Sequence, residues 1–357
     1  MNLSDMGWSP SYAAAHAALN LEHTAPARVI VETRRQYGLK AESGDYQAEV
    51  TGRFAHEVSA RADFPVVGDW VAAELLDDGR ARIHAVLPRH SRFSRKAAGP
   101  VTEEQVLAAN VDTVFLVTGL DHDFSLRRIE RYLVTAWDSG ARPVILLNKA
   151  DTRDEPERYI DDVGTIAHGV PVHALSALTG DGMEALRVYC TPGATLAVLG
   201  SSGVGKSTII NALFGEARQA TQAVREDDSR GRHTTTHREL FFLESGAMVI
   251  DTPGMREFAP WTDEAGVAEG FADIEALAEA CRYRDCTHEN EPGCAVRAAL
   301  ASGELDHGRI RGYRNLQREA RWLDRKQDEQ ARRAESRKWK NIAKMGRQRR
   351  RFEERNP

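Results

Sequence analysis

Apolar positions change their spacing twice along this chain, and each change marks a change of architecture. Between residues 27 and 87 the apolar runs are short and partly alternating: RVIVET (28–33), YQAEVTG (46–52), GDWVAAEL (68–75) and ARIHAVL (81–87). A period of two is the strand period, and the intervening ESGD, DFPVVGD and DDGR supply turn chemistry. Several short strands at this spacing predict a small β-barrel, and a span of about seventy residues suits an OB-fold. Such a barrel serves either nucleic-acid binding or a structural or protein-docking role, which periodicity alone does not separate. The next stretch, RHSRFSRKAAG (89–99), interleaves bases with Phe93 and reads either as an RNA contact or as a flexible linker.

From Val111 the texture changes to long apolar runs separated by helical segments. VDTVFLVTG (111–119) reads as a buried strand, and LRRIERYLVTAWDSG (126–140) as an amphipathic helix closed by Gly140. Strand followed by loop recurs in RPVILLNKAD (142–151), TLAVLGSSGVGKSTIINALFG (195–215) and AMVIDTPG (247–254). Strands alternating with helices predict a doubly wound parallel sheet with ligands at the carboxyl ends of its strands. Beyond Gly266 the chain turns helical and polar, and Glu319 to Arg355 reads as one or two charged helices with little apolar surface. No repeat is visible.

Composition adds limits. At 357 residues, 41% hydrophobic and 28% charged, the chain is an ordinary globular sequence of two or three domains. No window approaches the roughly 20 apolar residues of a membrane span, so no membrane partner is expected. The AAAHAAL run (13–19) lacks the basic flank of a signal peptide, and a cytoplasmic protein is expected. The net charge of −5 is unevenly spread. Arg309 to Pro357 holds 18 Lys and Arg against 7 Asp and Glu, so this segment carries +11 and the preceding 308 residues −16. Too few acids are present to pair those bases, which favours a polyanionic partner such as RNA.

The chemistry concentrates in four motifs. Gly200, Ser201, Ser202, Gly203, Val204, Gly205, Lys206, Ser207 and Thr208 satisfy the phosphate-binding pattern G-x-x-x-x-G-K-[ST], with the required strand before and helix after. Its glycines let backbone N–H groups form an anion nest at a helix N-terminus; Lys206 would reach the β- and γ-phosphates, and Ser207 would ligate Mg²⁺. DTPG follows an apolar strand, where Asp251 would hold Mg²⁺ through water and the Gly254 amide would sense the γ-phosphate. NKAD (Asn148, Lys149, Ala150, Asp151) selects guanine, because the Asp151 carboxylate can accept both the ring N–H and the exocyclic amine that adenine lacks. Ser176 and Ala177 of LSALTGDGMEAL would close a second loop over the base. Together these motifs bind GTP and GDP.

Their order is unusual. The base loops precede the phosphate loop, as in a doubly wound domain whose original termini are joined and whose break has moved. This circular permutation brings the chain out of the nucleotide domain just after DTPGMREF, so the C-terminal module is tethered to a γ-phosphate-responsive segment. Met255 occupies the place of the usual water-orienting glutamine and cannot hydrogen-bond to water, which predicts slow intrinsic hydrolysis. GRHTTT (231–236) falls where the first switch belongs. His233 is the candidate water-orienting residue, and Thr235 the candidate sensor of Mg²⁺ and γ-phosphate.

CRYRDCTHENEPGC supplies Cys281, Cys286, His288 and Cys294, with Cys190 apart as a core residue and His307 as a weaker candidate ligand. Three thiolates and one imidazole satisfy tetrahedral Zn²⁺ and leave no open position, which makes the site structural. Such a small polar module would need the metal to fold.

GDWV, RFSRK, EEQVLAANVDTVFLV, GSSGVGKS, GRHTTT, DTPGMREF and the cysteine/histidine cluster together resemble the RsgA (YjeQ) family of small-ribosomal-subunit-dependent GTPases over nearly the whole chain. The resemblance implies a monomeric assembly factor that binds the small subunit and its rRNA late in maturation, with GTPase activity stimulated by the subunit. It also strengthens the zinc assignment. The expected layout is an N-terminal extension (1–26), an OB-fold-like barrel (27–100), a circularly permuted α/β P-loop GTPase domain (101–262) and a helical zinc-binding domain with a basic tail (263–357). The competing expectations are an RNA-binding nucleotide switch without ribosome-stimulated catalysis, and a P-loop kinase or ATPase, which NKAD disfavours.

Overall fold

The computed structural model describes residues 1–33, 36–58, 60–96, 103–215, 238–251, 264–322 and 325. Five strands form near the N-terminus: β1 (Ala25–Glu32), β2 (Tyr37–Ala41), β3 (Gly44–Val50), β4 (Trp70–Leu75) and β5 (Arg80–Val86). Their order is β1-β2-β3-β5-β4, and β4 closes the barrel by pairing back onto β1. The β3–β5 pair is parallel and the remaining pairs are antiparallel, which is OB-fold topology. The alternating pattern leaves β2 undetected. Tyr37, Leu39 and Ala41 do face inward, but Gly38 and Lys40 between them weaken the strand signal. Gly52, expected at the end of the YQAEVTG strand, instead begins helix α2 (Gly52–Glu57), which Thr51 caps by accepting from the Phe54 N–H at 3.2 Å.

Over its described residues, 89–96, the basic stretch after the barrel is neither a flexible linker nor a display of an aromatic ring to RNA. It forms β6 (Arg92–Lys96), paired antiparallel with β7 (Glu104–Ala109), and Phe93 is fully buried in the core that also holds Leu107 and Val67. An apolar ring on the inner face of a hairpin gains more from burial than from exposure.

The apolar runs downstream build β8 (Thr113–Gly119), β9 (Arg142–Asn148), β10 (Val172–Ala174), β11 (Thr195–Gly200), β12 (Arg238–Phe242) and β13 (Met248–Asp251). Their order is β10-β9-β8-β11-β13-β12, parallel except for β12. Val114 and Leu116 of β8 enter one core while Phe115 and Val117 enter the other. Burial on both faces explains why this strand reads as an unbroken apolar run. Helices α3 (Leu126–Ser139), α4 (Glu157–Gly164) and α5 (Lys206–Phe214) complete the layers, and α3 ends where Gly140 takes a left-handed conformation. β12 also pairs with β1, matching Glu239 to Val31 and Arg238 to Glu32, so one continuous sheet runs from the barrel into the parallel layer.

The C-terminal module holds α6 (Glu264–Gly270), α7 (Ala272–Glu279), α8 (Ala295–Ser302) and a helix over residues 307–322. Its core is built around Phe271, Ile274, Val296 and Tyr313 and includes Val134 from α3. A Cβ on Gly270 would lie 2.3 Å from Val134 Cγ2, so α6 approaches α3 this closely only through glycine. Arg309 is buried in the contact. It pairs with Glu130 of α3 at 2.9 Å and Asp273 of α7 at 2.6 Å, with the Phe271 ring centroid at 4.8 Å. No helix among the described residues is long and apolar enough to cross a membrane.

The N-terminal segment carries a short turn (Ser4–Met6) and helix α1 (Pro10–Ala18), which the small-residue run forms. Arg28 fastens it to the rest. Its guanidinium donates to Met6 O, to Asn110 O at 3.2 Å and to Thr195 Oγ1 at 2.7 Å, beneath the Trp70 ring. Burial pushes the Arg28 pKa down to about 10. Arg28→Ala removes every one of these donors and is expected to lower unfolding stability by about 3 kcal/mol. Urea denaturation with an unchanged midpoint would show that the junction does not depend on this residue.

Candidate active site and metal centre

Because β8, β9, β10 and β11 are parallel, their carboxyl ends deliver four described loops to one end of the sheet. Gly119 lies opposite Asn148, Leu147 opposite Ala174, and Gly200 opposite Val117. The loop from Gly200 to Thr208 leaves β11 and enters α5. Its glycines are sterically required at two points. A Cβ on Gly200 would meet Val117 O at 2.3 Å, and one on Gly205 would meet Asn148 Nδ2 at 2.2 Å. Gly205 also has φ of +96°, which turns the loop into the first turn of α5 with its N–H groups facing outward. Val204 is buried as the loop's anchor, while Ser202, Gly203, Ser207 and Thr208 are exposed. Lys206 Nζ donates to Gly200 O at 2.6 Å and to Ser201 O.

Asn148 joins two of these loops. Its side chain is buried; Nδ2 donates to Val204 O at 2.7 Å, and Oδ1 accepts from the Ala177 N–H at 3.0 Å. The turn around Ser176 is held from within, with Ser176 N donating to Asp181 O, Gly180 N to Ser176 O, and Thr179 N to Ser176 Oγ. Lys149 takes a left-handed backbone conformation, φ +65°. Ala150 and Asp151 follow in a short helical turn, Ala150 N donates to Leu175 O at 3.1 Å, and Asp151 is exposed. The phosphate loop and both expected base loops are therefore joined at one end of the sheet, and the Asp151 carboxylate among them is exposed. Asp251, half-buried at the end of β13, stands opposite Glu239 of β12. His233, Thr235 and Gly254 lie outside the described residues.

Two neighbours escaped the sequence reading. Asp121 Oδ2 accepts from Lys149 Nζ at 2.6 Å, and Tyr132 Oη lies 3.3 Å from Ser201 Oγ. Position carries the signal for Asp121, since it falls two residues beyond the end of a strand adjacent to β9. Tyr132 carries none, because on α3 it fits the amphipathic pattern of any helix.

Among the described residues, Cys281, Cys286, His288 and Cys294 form the cysteine/histidine cluster, with all ligand atoms within 4.8 Å of one another. His307 instead lines a cleft of about 1270 Å³ between α3 and the C-terminal module, and Cys190 is a buried core thiol pushed up to about 11 by burial. A tetrahedral zinc with Zn–S near 2.3 Å requires S···S edges of about 3.8 Å and S···N edges of about 3.6 Å. Cys281 Sγ and Cys294 Sγ are 3.8 Å apart, and His288 Nδ1 lies 3.6 Å from the first and 3.5 Å from the second. Those four residues fit the ion. Cys294 also caps α8, its sulfur accepting from the Arg297 N–H at 3.5 Å, which fixes one ligand at the start of that helix. His288 has φ of +60°, and its carbonyl accepts from Arg314 Nη2 at 2.5 Å, which ties the cluster to the helix over 307–322.

The family model described as RsgA GTPase matches residues 86–261. The small ribosomal subunit biogenesis GTPase RsgA of Opitutus terrae is 50% identical over 363 residues, covering 99% of each chain. The protein named small ribosomal subunit biogenesis GTPase RsgA 1 of Oceanobacillus iheyensis is 43% identical, over 89% of this chain and 91% of its own. Among solved structures, YjeQ from Thermotoga maritima superposes with a TM-score of 0.62 at 26% identity, covering 83% of this chain and 98% of that one. YloQ, described as a circularly permuted GTPase, shares the fold with a TM-score of 0.61 at 24% identity, over 85% of this chain and 96% of that one.

Asn148→Ala would leave the Ala177 N–H and the Val204 carbonyl without their partner and let the two loops separate. GDP affinity is expected to fall about a hundredfold. A fluorescence titration giving wild-type affinity would show that the loops hold their relation without it.

Proposed function

Because the chain belongs to the RsgA GTPase family, we propose that this GTPase binds the small ribosomal subunit late in its maturation and hydrolyses GTP to GDP and phosphate when the subunit stimulates it. The guanine reading is carried by Asn148, whose single amide joins the phosphate loop to the turn at Ala177. The base would lie against Asn148, Lys149, Ala150, Asp151, Ser176 and Ala177, with Asp151 selecting guanine by accepting its two N–H donors. The phosphates would lie over Gly200 to Thr208, with backbone N–H groups at the start of α5 and Lys206 balancing their charge. Mg²⁺ would be held by the Ser207 hydroxyl, with Asp251 assisting through water, and would neutralise charge on the phosphates. His233 and Thr235 remain the proposed switch residues.

Zinc, held by Cys281, Cys286, His288 and Cys294, would be structural, since all four positions are protein ligands. It would fix the loop between α7 and α8 against the helix over 307–322. Arg311, Arg318 and Arg321 are exposed on that helix, and with the basic sequence beyond they supply the charge for rRNA. The proposed division into an extension (1–26), barrel (27–100), GTPase domain (101–262) and zinc-binding domain (263–357) assigns subunit contact to the outer modules and nucleotide to the central one. With a subunit partner, the proposed location is the cytoplasm.

Met255 in place of a glutamine supports the dependence on a partner, because its thioether cannot orient water. GTP turnover is expected to rise at least tenfold, on the order of 1.4 kcal/mol of barrier, when purified small subunits are added. An unchanged rate would leave a nucleotide switch without stimulated catalysis. Chelation with 1,10-phenanthroline is expected to release one zinc per chain and to lower helical circular dichroism as the C-terminal module loosens. Retention of full helicity after metal loss would remove the structural role.

A further inference from the structure

Lys149 is long and flexible, yet the structure holds it at both ends. Its backbone is left-handed, and its ammonium sits 2.6 Å from Asp121 Oδ2 in the loop after β8. That carboxylate is itself fixed, because Asp121 Oδ1 accepts from the Asp123 N–H at 2.9 Å. The loop is tied to the base loop twice more, by Leu120 N donating to Asn148 O at 2.8 Å and Arg153 Nε donating to Leu120 O at 2.5 Å. Space for the pair depends on Gly119. A Cβ there would stand 2.8 Å from Asp121 Oδ1 and 3.5 Å from Lys149 Cδ. The Lys149 ammonium, and after it the Asp123 N–H, holds the Asp121 carboxyl below its ordinary range, so it remains charged at neutral pH.

A lysine beside a phosphate loop is drawn toward the phosphates by simple charge, and an unrestrained one also loses rotamer freedom when a base settles on its stem. Asp121 opposes both effects. We infer that Asp121 is a positioning residue that sets guanine-nucleotide affinity by pinning the Lys149 stem beside the base. The inference rests on the guanine-site reading above and adds to it a residue outside all four motifs.

The test measures GDP affinity and GTP turnover for wild type, Asp121→Asn, Asp121→Ala, Gly119→Ala, Lys149→Met and the Asp121→Ala/Lys149→Met double variant. Asp121→Asn, Asp121→Ala and Gly119→Ala are expected to raise the GDP Kd and the GTP KM about fivefold each, with kcat within about twofold of wild type and thermal unfolding without nucleotide unchanged. Gly119→Ala is the sharper variant, because it acts only by displacing the carboxylate. In the Lys149→Met background, Asp121→Ala is expected to add nothing. Wild-type affinity in Asp121→Asn and Gly119→Ala would overturn the inference, as would an undiminished effect of Asp121→Ala without Lys149. Failure of the wild-type chain to bind GDP would instead remove the guanine reading, and this inference with it.

Discussion

One buried amide sets the geometry on which the nucleotide end of this molecule depends. Asn148 donates to a carbonyl of the phosphate loop and accepts from an N–H of the turn at Ala177, two segments separated in sequence but adjacent at the sheet's carboxyl edge. In a low-dielectric environment, losing either bond strands a polar group, so the two loops are held at one separation rather than a range. That constraint explains Gly205. With Asn148 Nδ2 only 2.2 Å from where a Cβ would stand, the position must be glycine. It also gives the misplaced base motif its physical sense. What matters to a ligand is which loops share an edge, and Asn148 joins them whichever comes first along the chain.

A second constraint comes from α3. The same helix carries Tyr132, facing Ser201 of the phosphate loop, and Glu130, buried against Arg309 of the C-terminal module. Val134 belongs to the C-terminal core. The C-terminal module therefore rests on a helix that also touches the phosphate loop, while the sequence 252–263 links it to β13. On the other side, β1 pairs with β12, and Arg28 ties the N-terminal turn to β11 and the β7–β8 connection. The central sheet is thus gripped from both flanks by buried, hydrogen-bonded polar groups, an arrangement that penalises sliding of one module over another.

The legible and illegible parts divide along physical lines. Doubly buried strands such as β8 and β11 announce themselves, because burial on two faces favours an unbroken apolar run rather than alternation. The phosphate loop and the cysteine cluster are equally plain, since each needs particular residue types at fixed spacing. β2 is quiet because half of a barrel strand faces solvent and tolerates Gly38 and Lys40. Phe93 misleads because interleaved bases and an aromatic ring look alike whether the ring stacks on a base or fills a core; only the pairing of β6 with β7 decides. Arg28 and Arg309 are invisible for a deeper reason. An arginine reads as surface, and nothing local in RVIVET or DHGRIRGY says that carbonyls and carboxylates from distant segments will converge on it.

Permutation follows from the same logic. A parallel sheet covered by helices is stabilised by strand order and by burial on both faces, and neither depends on which connection is covalent. Rejoining the chain elsewhere therefore preserves the cluster of loops at the carboxyl edge. What it changes is which module is attached to which strand. Here the break leaves β13, the strand beside β11, as the last of the sheet, and the next described element is α6, packed on α3 through Gly270. The C-terminal module thus meets the nucleotide end by two independent routes, one covalent through β13 and one packed through α3. A displacement of α3 at Tyr132 would therefore also move Glu130 and Val134, on which the C-terminal module rests.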